Sequence, residues 1–409
     1  MRERWKHSIA EGHAPGHGAR SARCGVLILC LIISSVPGCG FVGGGGGGDC
    51  CPGSYLSTWD LDSGELEQSF ELIPPVTRFA FSLDRTRFAT MQERWGSGSA
   101  GLLVRIRSAP GGELQEEIAL DTNIGTGSQP LFSPDLRWMA LFPYVRGGRA
   151  SRFLLWDLEA AAVHAEFPGL TPIGFSADGR QLLTYGYADP PSQERRVTWW
   201  DVETQAEIAW FTVDGLPLKL HAATGRLVVG FVEPGADSSR KTVSISLVDT
   251  RADGASTPLG TLEYDGWSLE DTGLMLVFSD DGSTLALGEV FTVRVWRMDG
   301  DISSPAAIDL ARPEAWASFS PPSWVTLSPD GDRLLVQFSG FDREVGCSVQ
   351  RVQLWDLGTA PTPQAGQPPR ALDSPLMEGA RLAVFLPDGT LMTLGRPCFA
   401  VCDFGHRIC

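Results

Sequence analysis

Cysteine is the residue type in this sequence with the clearest capacity for chemistry. Six cysteines follow Cys39, and they are Cys50, Cys51, Cys347, Cys398, Cys402 and Cys409. An even number of cysteines in an exported chain indicates a set of disulfide bonds. Buried free thiols are the alternative, and a zinc site is disfavoured because no Cys-x-x-Cys pair occurs. We therefore predict disulfide bonds, with a pairing that the sequence alone leaves open.

Histidine is sparse in the region that follows Cys39. Only His164, His221 and His406 occur there, and they share no short metal-binding spacing. Serine-hydrolase elbows, phosphate-binding loops and zinc-protease motifs are also missing from the sequence. Aspartate-rich turns such as "SDDGS" lack the spacing of a calcium loop, and turn formation accounts for them. The sequence predicts no catalytic site, no metal and no cofactor.

The N-terminal region has the order of an export signal. Its basic side chains are Arg2, Arg4, Lys6, Arg20 and Arg23, and the apolar run "GVLILCLIISSV" follows at 25–36. A membrane-spanning helix needs roughly 20 apolar residues, so this run is too short to span and fits the apolar core of a signal peptide. A buried core helix is the alternative, and the preceding basic residues argue against it.

The tetrapeptide Val-Pro-Gly-Cys at 36–39 resembles the lipobox of bacterial lipoproteins. Its cysteine, glycine and valine match that pattern, whereas Pro37 is unusual in it. The resemblance implies that 1–38 is a removed signal peptide, that Cys39 is acylated and that 39–54 is a glycine-rich tether. It also implies a location in the bacterial cell envelope, on the periplasmic or surface side of a membrane.

The overall charge restricts the classes of partner. The chain has a formal net charge of −16, and most of the few basic residues in the folded part are arginines. A surface of this sign repels a phosphate backbone, so nucleic acid is not expected as a partner. Hydrophobic content of 43% with 20% charged residues describes a globular chain, and 47 glycines with 28 prolines favour many strands joined by turns.

One pattern recurs from residue 55 onward. An apolar strand ends in a tight turn and a second apolar strand follows, as in "IGFSADGRQLLT" and "VTLSPDGDRLLV". Asp-Gly between apolar runs favours a hairpin, because glycine adopts positive φ and aspartate caps its own turn. The seven predicted turns contain Asp84, Asp135, Asp178, Thr224, Asp281, Asp330 and Asp388.

A third strand follows each hairpin and ends at Trp-Asp or a variant of it. Trp-Asp occurs at 59–60, 156–157, 200–201 and 355–356, and Ser-Pro-Asp-Gly occurs at 328–331. These motifs resemble the WD40 repeat family over residues 55–409. The resemblance implies an all-β, seven-bladed β-propeller with four strands in each blade. It also implies that the tryptophans pack between blades.

The sequence departs from the family pattern at two places. No Gly-His pair precedes the first strands, so the family's His–Asp–Ser–Trp hydrogen bonds cannot form. Arg107, Val248 and Cys402 replace tryptophan in three of the units.

The last unit, with "FAVCDF" as its third strand, has no fourth strand after it. We therefore expect Glu65–Leu72 to supply that strand and to close the ring.

Ring closure narrows the disulfide possibilities. The two chain ends would meet in one blade, so Cys50 or Cys51 could reach Cys402 or Cys409. Cys347 and Cys398 are expected in loops of neighbouring blades on one face of the ring.

The long loops between second and third strands are the candidate partner surface. Their candidate partner-binding residues are Arg146, Arg149, Arg152, Arg195, Arg196 and Arg343. The turns on the opposite face are strongly acidic, so the arginine-bearing face could recruit acidic groups of a partner. The alternative interpretation is ordinary solvated loop charge.

The WD40 resemblance implies a protein-binding scaffold without catalysis, and we expect a monomer with an unidentified protein partner. The alternative is a hydrolase of the lactonase-like type, with acidic and histidine side chains converging on the central channel. The scarcity of histidine argues against that alternative.

Overall fold

β-Strands are the only regular elements among the residues that the computed structural model describes. Those residues are 54–61, 63, 65–72, 78–95, 100–120, 130–142, 144–145, 148–149, 152–187, 194–233, 241–252, 254–264, 275–289, 292–300, 302, 305–310, 316–319, 322, 324–342, 347–358, 370–371, 380–395, 401–403 and 406–408. Within them, no helix is long and apolar enough to cross a membrane.

The strands are short, and most come in groups of four. In chain order they are β1 (Ser54–Trp59), β2 (Leu66–Leu72), β3 (Arg78–Phe81), β4 (Arg87–Trp95), β5 (Ala100–Ser108), β6 (Leu114–Leu120), β7 (Leu131–Phe132), β8 (Trp138–Leu141), β9 (Tyr144–Val145), β10 (Gly148–Arg149), β11 (Arg152–Asp157), β12 (Ala162–Pro168), β13 (Thr171–Phe175), β14 (Gln181–Tyr187), β15 (Glu194–Asp201), β16 (Glu207–Asp214), β17 (Leu216–His221), β18 (Arg226–Val232), β19 (Lys241–Asp249), β20 (Ser256–Tyr264), β21 (Met275–Phe278), β22 (Thr284–Gly288), β23 (Thr292–Arg297), β24 (Ala306–Asp309), β25 (Trp316–Phe319), β26 (Trp324–Leu327), β27 (Arg333–Asp342), β28 (Cys347–Asp356), β29 (Arg370–Ala371), β30 (Ala380–Phe385), β31 (Leu391–Gly395), β32 (Val401–Asp403) and β33 (His406–Ile408).

Seven antiparallel sheets form the blades of a propeller. Blade 1 is β3–β6, blade 2 is β7, β8, β11 and β12, blade 3 is β13–β16, blade 4 is β17–β20, and blade 5 is β21–β24. Blade 6 is β25 and β26, both paired with β27, followed by β28 and β29. Blade 7 has the order β30, β31, β1, β2. The predicted all-β, seven-bladed fold is therefore confirmed.

The turn between the first and second strands of a blade has a repeated set of hydrogen bonds. In blade 3 the Ser176 hydroxyl donates to Asp178 Oδ1 at 2.6 Å and accepts the amide of Gln181 at 2.9 Å. Asp178 Oδ1 also accepts the amide of Arg180 at 3.1 Å. Equivalent bonds begin at Ser82, Ser133, Ser279 and Ser328. The aspartates of these turns therefore serve the hairpins, as the sequence predicted.

Ring closure follows the prediction in principle but differs from it in detail. Strand β1 pairs with β31, so that Trp59 lies opposite Leu391, and β2 completes the sheet. The N-terminal segment therefore supplies both outer strands of blade 7. The assignment of "FAVCDF" as the third strand was wrong, because β32 pairs with β33 in a separate hairpin. Trp59, and not Cys402, occupies the tryptophan position of this blade.

Apolar clusters join each blade to its neighbours. Trp59 of blade 7 packs with Leu335 of blade 6, and Phe88 of blade 1 packs with Met392 of blade 7. Seven such clusters lie within the described residues, one for each junction between consecutive blades. Because blade 7 contacts blade 1 in this way, the clusters form a closed circuit and no blade has an unpartnered face.

Two tryptophans retain a hydrogen bond to the second strand of their own blade. Trp200 Nε1 donates to Thr184 Oγ1 at 2.9 Å, and Trp59 Nε1 donates to Thr393 Oγ1 at the same distance. Both threonine side chains are buried. In each case threonine therefore accepts the indole N–H hydrogen bond. The histidine of the WD40 family's Gly-His pair, which precedes none of the first strands in this sequence, is not needed for it.

Candidate functional site

Polar side chains converge where the turns between first and second strands meet around the ring axis. Arg85 lies in the turn of blade 1, and its guanidinium pairs with the carboxylate of Asp280 in the turn of blade 5. The same guanidinium donates to the carbonyl of Phe385 in blade 7. Blades 1 and 5 are not neighbours, so this contact crosses the mouth of the central channel. The Arg85 side chain is only 11% exposed.

The backbone of Arg85 adopts a conformation that is rare for a residue other than glycine. Its φ is +54°, a value that costs a non-glycine residue conformational energy. Glycine takes the equivalent conformation in blades 3, 5 and 6, for example Gly282 at +70°. Blade 1 thus places a long cationic side chain where blades 3, 5 and 6 have glycine, and blade 2 has Leu136 at this position with a φ of +62°.

Burial and charge act in opposite directions on this pair. Burial raises the pKa of Asp280, and the nearby Arg85 offsets only part of that effect. Burial likewise lowers the pKa of Arg85, which Asp280 partly restores. The attraction between the two groups therefore offsets part of the cost of removing each charge from water.

His221 completes the cluster as a neutral ring. Burial lowers the pKa of His221. Its Nε2 lies 3.1 Å from the carbonyl oxygen of Asp280, and its Nδ1 lies 2.8 Å from Thr224 Oγ1. A carbonyl can only accept, so Nε2 carries the proton and Nδ1 accepts from the threonine hydroxyl. The Nδ1 bond therefore fixes the turn of blade 4, and the Nε2 bond joins that turn to the turn of blade 5.

Lys219 lies two residues before His221 on the first strand of blade 4. Its side chain is exposed to solvent, yet protein surrounds it, as expected for a side chain facing the central channel. This surrounding protein lowers the pKa of the Lys219 ammonium by desolvation.

The arginines predicted to bind a partner lie partly within strands. Arg152 begins β11 and pairs with Glu166 at 2.6 Å, whereas Arg149 lies in the short hairpin strand β10. Arg146 and Arg343 lie outside the described residues. The loop assignment of Arg152 was therefore wrong.

Arg195 and Arg196 lie in β15 rather than in a loop, and each stacks on an aromatic ring. The Arg195 guanidinium carbon is 3.9 Å from the centre of the Tyr187 ring, and that of Arg196 is 4.7 Å from the Trp210 ring. Arg196 also pairs with Glu207 at 2.6 Å. The loop assignment failed because β14 and β15 extend further than the apolar pattern indicates.

The rings under these arginines are unusually exposed. Tyr187 is 66% exposed and Trp210 is 57% exposed, and Ile208 beside Trp210 is 48% exposed. Adjacent strand residues point to opposite faces of a sheet, so the Tyr187–Arg195 pair and the Trp210–Arg196 pair lie on the two faces of blade 3. We call Tyr187, Arg195, Arg196, Ile208 and Trp210 together the blade 3 patch. The sequence showed the two arginines but not the aromatic residues, because tryptophan and tyrosine in strands are usually core residues.

The structure places some of the predicted cysteine and histidine residues. Cys347 begins β28 and Cys402 lies in β32, whereas Cys39, Cys50, Cys51, Cys398 and Cys409 lie outside the described residues. The disulfide bonds stay a prediction. His164 is in a fourth strand, as expected, and its Nε2 lies 3.0 Å from the carbonyl oxygen of Val202. Within the described part of the chain, no three His, Cys, Asp or Glu side chains are grouped to hold a metal.

Comparisons with known proteins show similarity of fold only. No protein-family profile matches this sequence, and no curated protein matches it. A structure titled Kuenenia stuttgartiensis hydrazine synthase is 13% identical, with 75% of this chain and 81% of that chain covered and a TM-score of 0.41. The Dos1 propeller is 15% identical over 75% of this chain and 74% of that chain, with a TM-score of 0.41. TolB from Acinetobacter baumannii is 14% identical over 72% and 74% of the two chains, with a TM-score of 0.38. At these levels no function passes to this chain, and the propeller assignment stands on its own strand pairing.

Proposed function

We propose that this chain is a non-catalytic propeller that binds a protein partner through the blade 3 patch. The observation that carries the proposal is the exposure of Tyr187 and Trp210, each covered on one side by an arginine. Tryptophan, tyrosine and arginine are the residue types that contribute most binding energy at protein interfaces.

Stacking prepares these side chains for binding. A guanidinium over an aromatic ring restrains both groups. Less side-chain entropy is therefore lost when a partner binds to them. Arg196 is further fixed by its ion pair with Glu207. A guanidinium group binds a carboxylate in a fixed geometry, and the exposed rings offer apolar surface, which favours a partner segment with acidic and apolar residues.

The proposed location is the bacterial cell envelope, with Cys39 acylated and residues 1–38 removed. Support comes from the short apolar run and the lipobox-like tetrapeptide. We further propose that the ring is a divergent WD40-like propeller. The Trp-Asp motifs and the retained bonds from Trp59 and Trp200 to threonine support this assignment.

Alanine substitution tests the blade 3 patch. The variant Tyr187→Ala with Trp210→Ala should lose at least about 90% of the partner that the native protein captures by cross-linking in intact envelopes. Leu114→Ala is the control, because Leu114 is also an exposed large apolar residue, at 49%, on the fourth strand of blade 1. Equal capture by the native protein and the double variant would contradict the proposal.

A separate experiment tests the anchor. Cys39→Ser should move the protein from the membrane fraction to the soluble fraction and remove the mass of the acyl groups. Unchanged fractionation and unchanged mass would show that Cys39 is not lipidated. Six free thiols after Cys39 in the native protein would contradict an oxidising compartment and the predicted disulfide bonds.

A hydrolase with a site in the central channel is the second candidate. Lys219 favours it, because a lysine with lowered pKa in a channel can act as a base or a nucleophile. Turnover of a lactone by the native protein that is lost in Lys219→Met would establish this alternative. No turnover across a series of lactones would contradict the hydrolase alternative, and protein binding would stay the proposed function.

A further inference from the structure

Strand β16 is an edge strand whose interior carries no charge. It is the outer strand of blade 3, and β15 is its one neighbour in that sheet. Its sequence is "EIAWFTVD", so the uncharged residues 208–213 lie between Glu207 and Asp214, and four of these six side chains are exposed. Every second residue of an edge strand points its N–H and C=O groups away from the sheet, where another strand can bind them.

The outer strands of the other blades are protected against such pairing. Charged residues or proline interrupt four of them, with Glu67 in β2, Glu116 in β6, Glu166 in β12 and Pro258 in β20. The remaining two, β24 and β29, have only four and two residues. Edges are commonly protected in these ways against pairing with other chains. Among the described outer strands, β16 alone has a long interior without charge or proline.

A strand added beside β16 would contact both faces of blade 3, because its side chains alternate between the two faces. The Arg196 guanidinium lies over the Trp210 ring, so it extends to the edge strand although Arg196 itself is in β15. A residue opposite Trp210 would have its Cβ atom about 5 Å from that of Trp210. On this face an apolar residue can therefore contact the indole ring, and a carboxylate two positions along can bind the guanidinium. On the other face, Arg195 lies opposite Val213, one strand from the edge.

The charges at the ends of β16 disfavour a second copy of this chain as the occupant. Two β16 strands that pair all six uncharged residues in antiparallel register bring Glu207 of each copy opposite Asp214 of the other. Like charges directly opposite each other destabilise a sheet, and each copy carries a net charge of −16. A segment of a different protein avoids both costs.

We propose that β16 binds an extended segment of the partner protein, which joins blade 3 as a fifth strand. The segment has an apolar residue against Trp210 and an acidic residue, two positions along, against Arg196. This inference rests on the proposed function, since it specifies how the partner engages the blade 3 patch. It adds that backbone hydrogen bonds, and not side chains alone, hold the partner.

The peptide TVTETVTET, labelled with fluorescein, tests the inference by fluorescence anisotropy. In an extended peptide its valine and glutamate side chains share one face and its threonines share the other. The peptide should bind saturably to the native protein. An analogue with methyl groups on its four central amide nitrogens keeps every side chain but loses those backbone donors. This matched control should bind about tenfold more weakly or worse.

Hydrogen exchange locates the bound peptide on the native protein. The peptide should slow exchange at about half of the backbone amides of 207–214, because alternate N–H groups face the added strand. The outer strand β6 should show no change, since Glu116 and Glu117 at its centre repel an acidic peptide.

Two side-chain variants complete the design. Trp210→Ala should weaken peptide binding by about fivefold, and Leu114→Ala, on β6, should leave it unchanged. Saturable binding with these losses, together with protection of 207–214, would support the proposal.

The outcomes that overturn the proposal separate it from the proposed function. Equal affinity for the methylated analogue, no protection of 207–214, or no saturable binding would overturn the added strand alone, if the Tyr187→Ala, Trp210→Ala variant still loses the native partner. Unchanged capture by that variant would contradict the proposed function and this inference with it. A dimer of the native protein that protects 207–214 would overturn the proposal by assigning β16 to a second copy.

Discussion

The guanidinium of Arg85 and the carboxylate of Asp280 meet across the mouth of the central channel, although 195 residues separate them in sequence. Every apolar junction in the ring joins consecutive blades, whereas this ion pair joins blade 1 to blade 5. The pair is thus a link between blades that share no apolar cluster. It holds the ring at the end where the turns converge.

Removal of one member of this pair should destabilise the ring. Asp280→Asn leaves the buried Arg85 guanidinium without a counter-charge and should lower the free energy of unfolding by about 2 kcal/mol. Arg85→Met should have a smaller effect, because the Asp280 side chain is 32% exposed and its carboxylate keeps part of its solvation. Urea denaturation measures both.

A double-mutant cycle isolates the coupling between the two groups. The double variant of Arg85→Met and Asp280→Asn should be more stable than the sum of the single effects predicts, by about 1–2 kcal/mol. Additive effects would show that the pair contributes no coupling energy, and that the channel mouth is held by its backbone contacts.

The two chain ends should respond very differently to truncation. A chain that ends at Gly395 keeps all four strands of blade 7 and should show cooperative unfolding close to that of the full chain. A chain that starts at residue 73 loses β1 and β2, leaves β31 unpaired and should fail to form a stable ring. Circular dichroism with thermal melting distinguishes the two. Loss of folding on C-terminal truncation alone would contradict the strand order of blade 7.

The hydrogen bond between Trp200 and Thr184 gives a local test of packing. Thr184→Val keeps the shape of the side chain but leaves the indole N–H without its acceptor, so we expect a loss of about 1–2 kcal/mol in unfolding free energy. Thr90→Val is the control, since Thr90 is the equivalent buried residue of blade 1, where Arg107 replaces tryptophan. An equal loss at both positions would show that the indole bond adds nothing.

The serine–aspartate turns should make stability fall in acid. Hydrogen bonds from Ser176 and Ser328 hold the pKa values of Asp178 and Asp330 below their usual range. A carboxyl whose pKa is lower in the folded state adds stability above its unfolded pKa of about 4, and that stability is lost as pH falls through the folded pKa. Thermal melting between about pH 6 and pH 2 should therefore show a steep decline below about pH 4. Ser176→Ala should raise the pKa of Asp178 and weaken that decline; an unchanged pKa by NMR titration would contradict the mechanism.

Local turn chemistry explains why the blades could be predicted from the sequence. Each hairpin is specified by residues within about five positions of one another, as the Ser176 and Asp178 bonds show. The third strand of blade 7 was misassigned because "LSTWD" and "FAVCD" are both short stretches with apolar residues that end in aspartate. Only pairing with β31 decides between them. That pairing is remote in sequence, since Trp59 and its hydrogen-bond partner Thr393 are 334 residues apart.

The candidate site was less predictable than the fold. Arg85 stands at a turn position where glycine is usual, which is a local signal, but its partner Asp280 is set by ring geometry. The exposure of Trp210 was equally hidden, because a strand pattern does not reveal how much of an outer strand such as β16 the neighbouring blades cover. Such relationships depend on how blades are arranged, and not on the residues beside them in the chain.

Blade 7 also determines the order in which the molecule can assemble. Strand β1 is among the first structured segments to be synthesised, yet its partner β31 emerges only near the end of translation. Six blades can form from nearby segments, whereas the seventh requires the contact of highest sequence separation, which makes it a slow step. Until then the nascent propeller is an arc with two exposed edges, and β1 and β2 wait for β31 before they can join a blade.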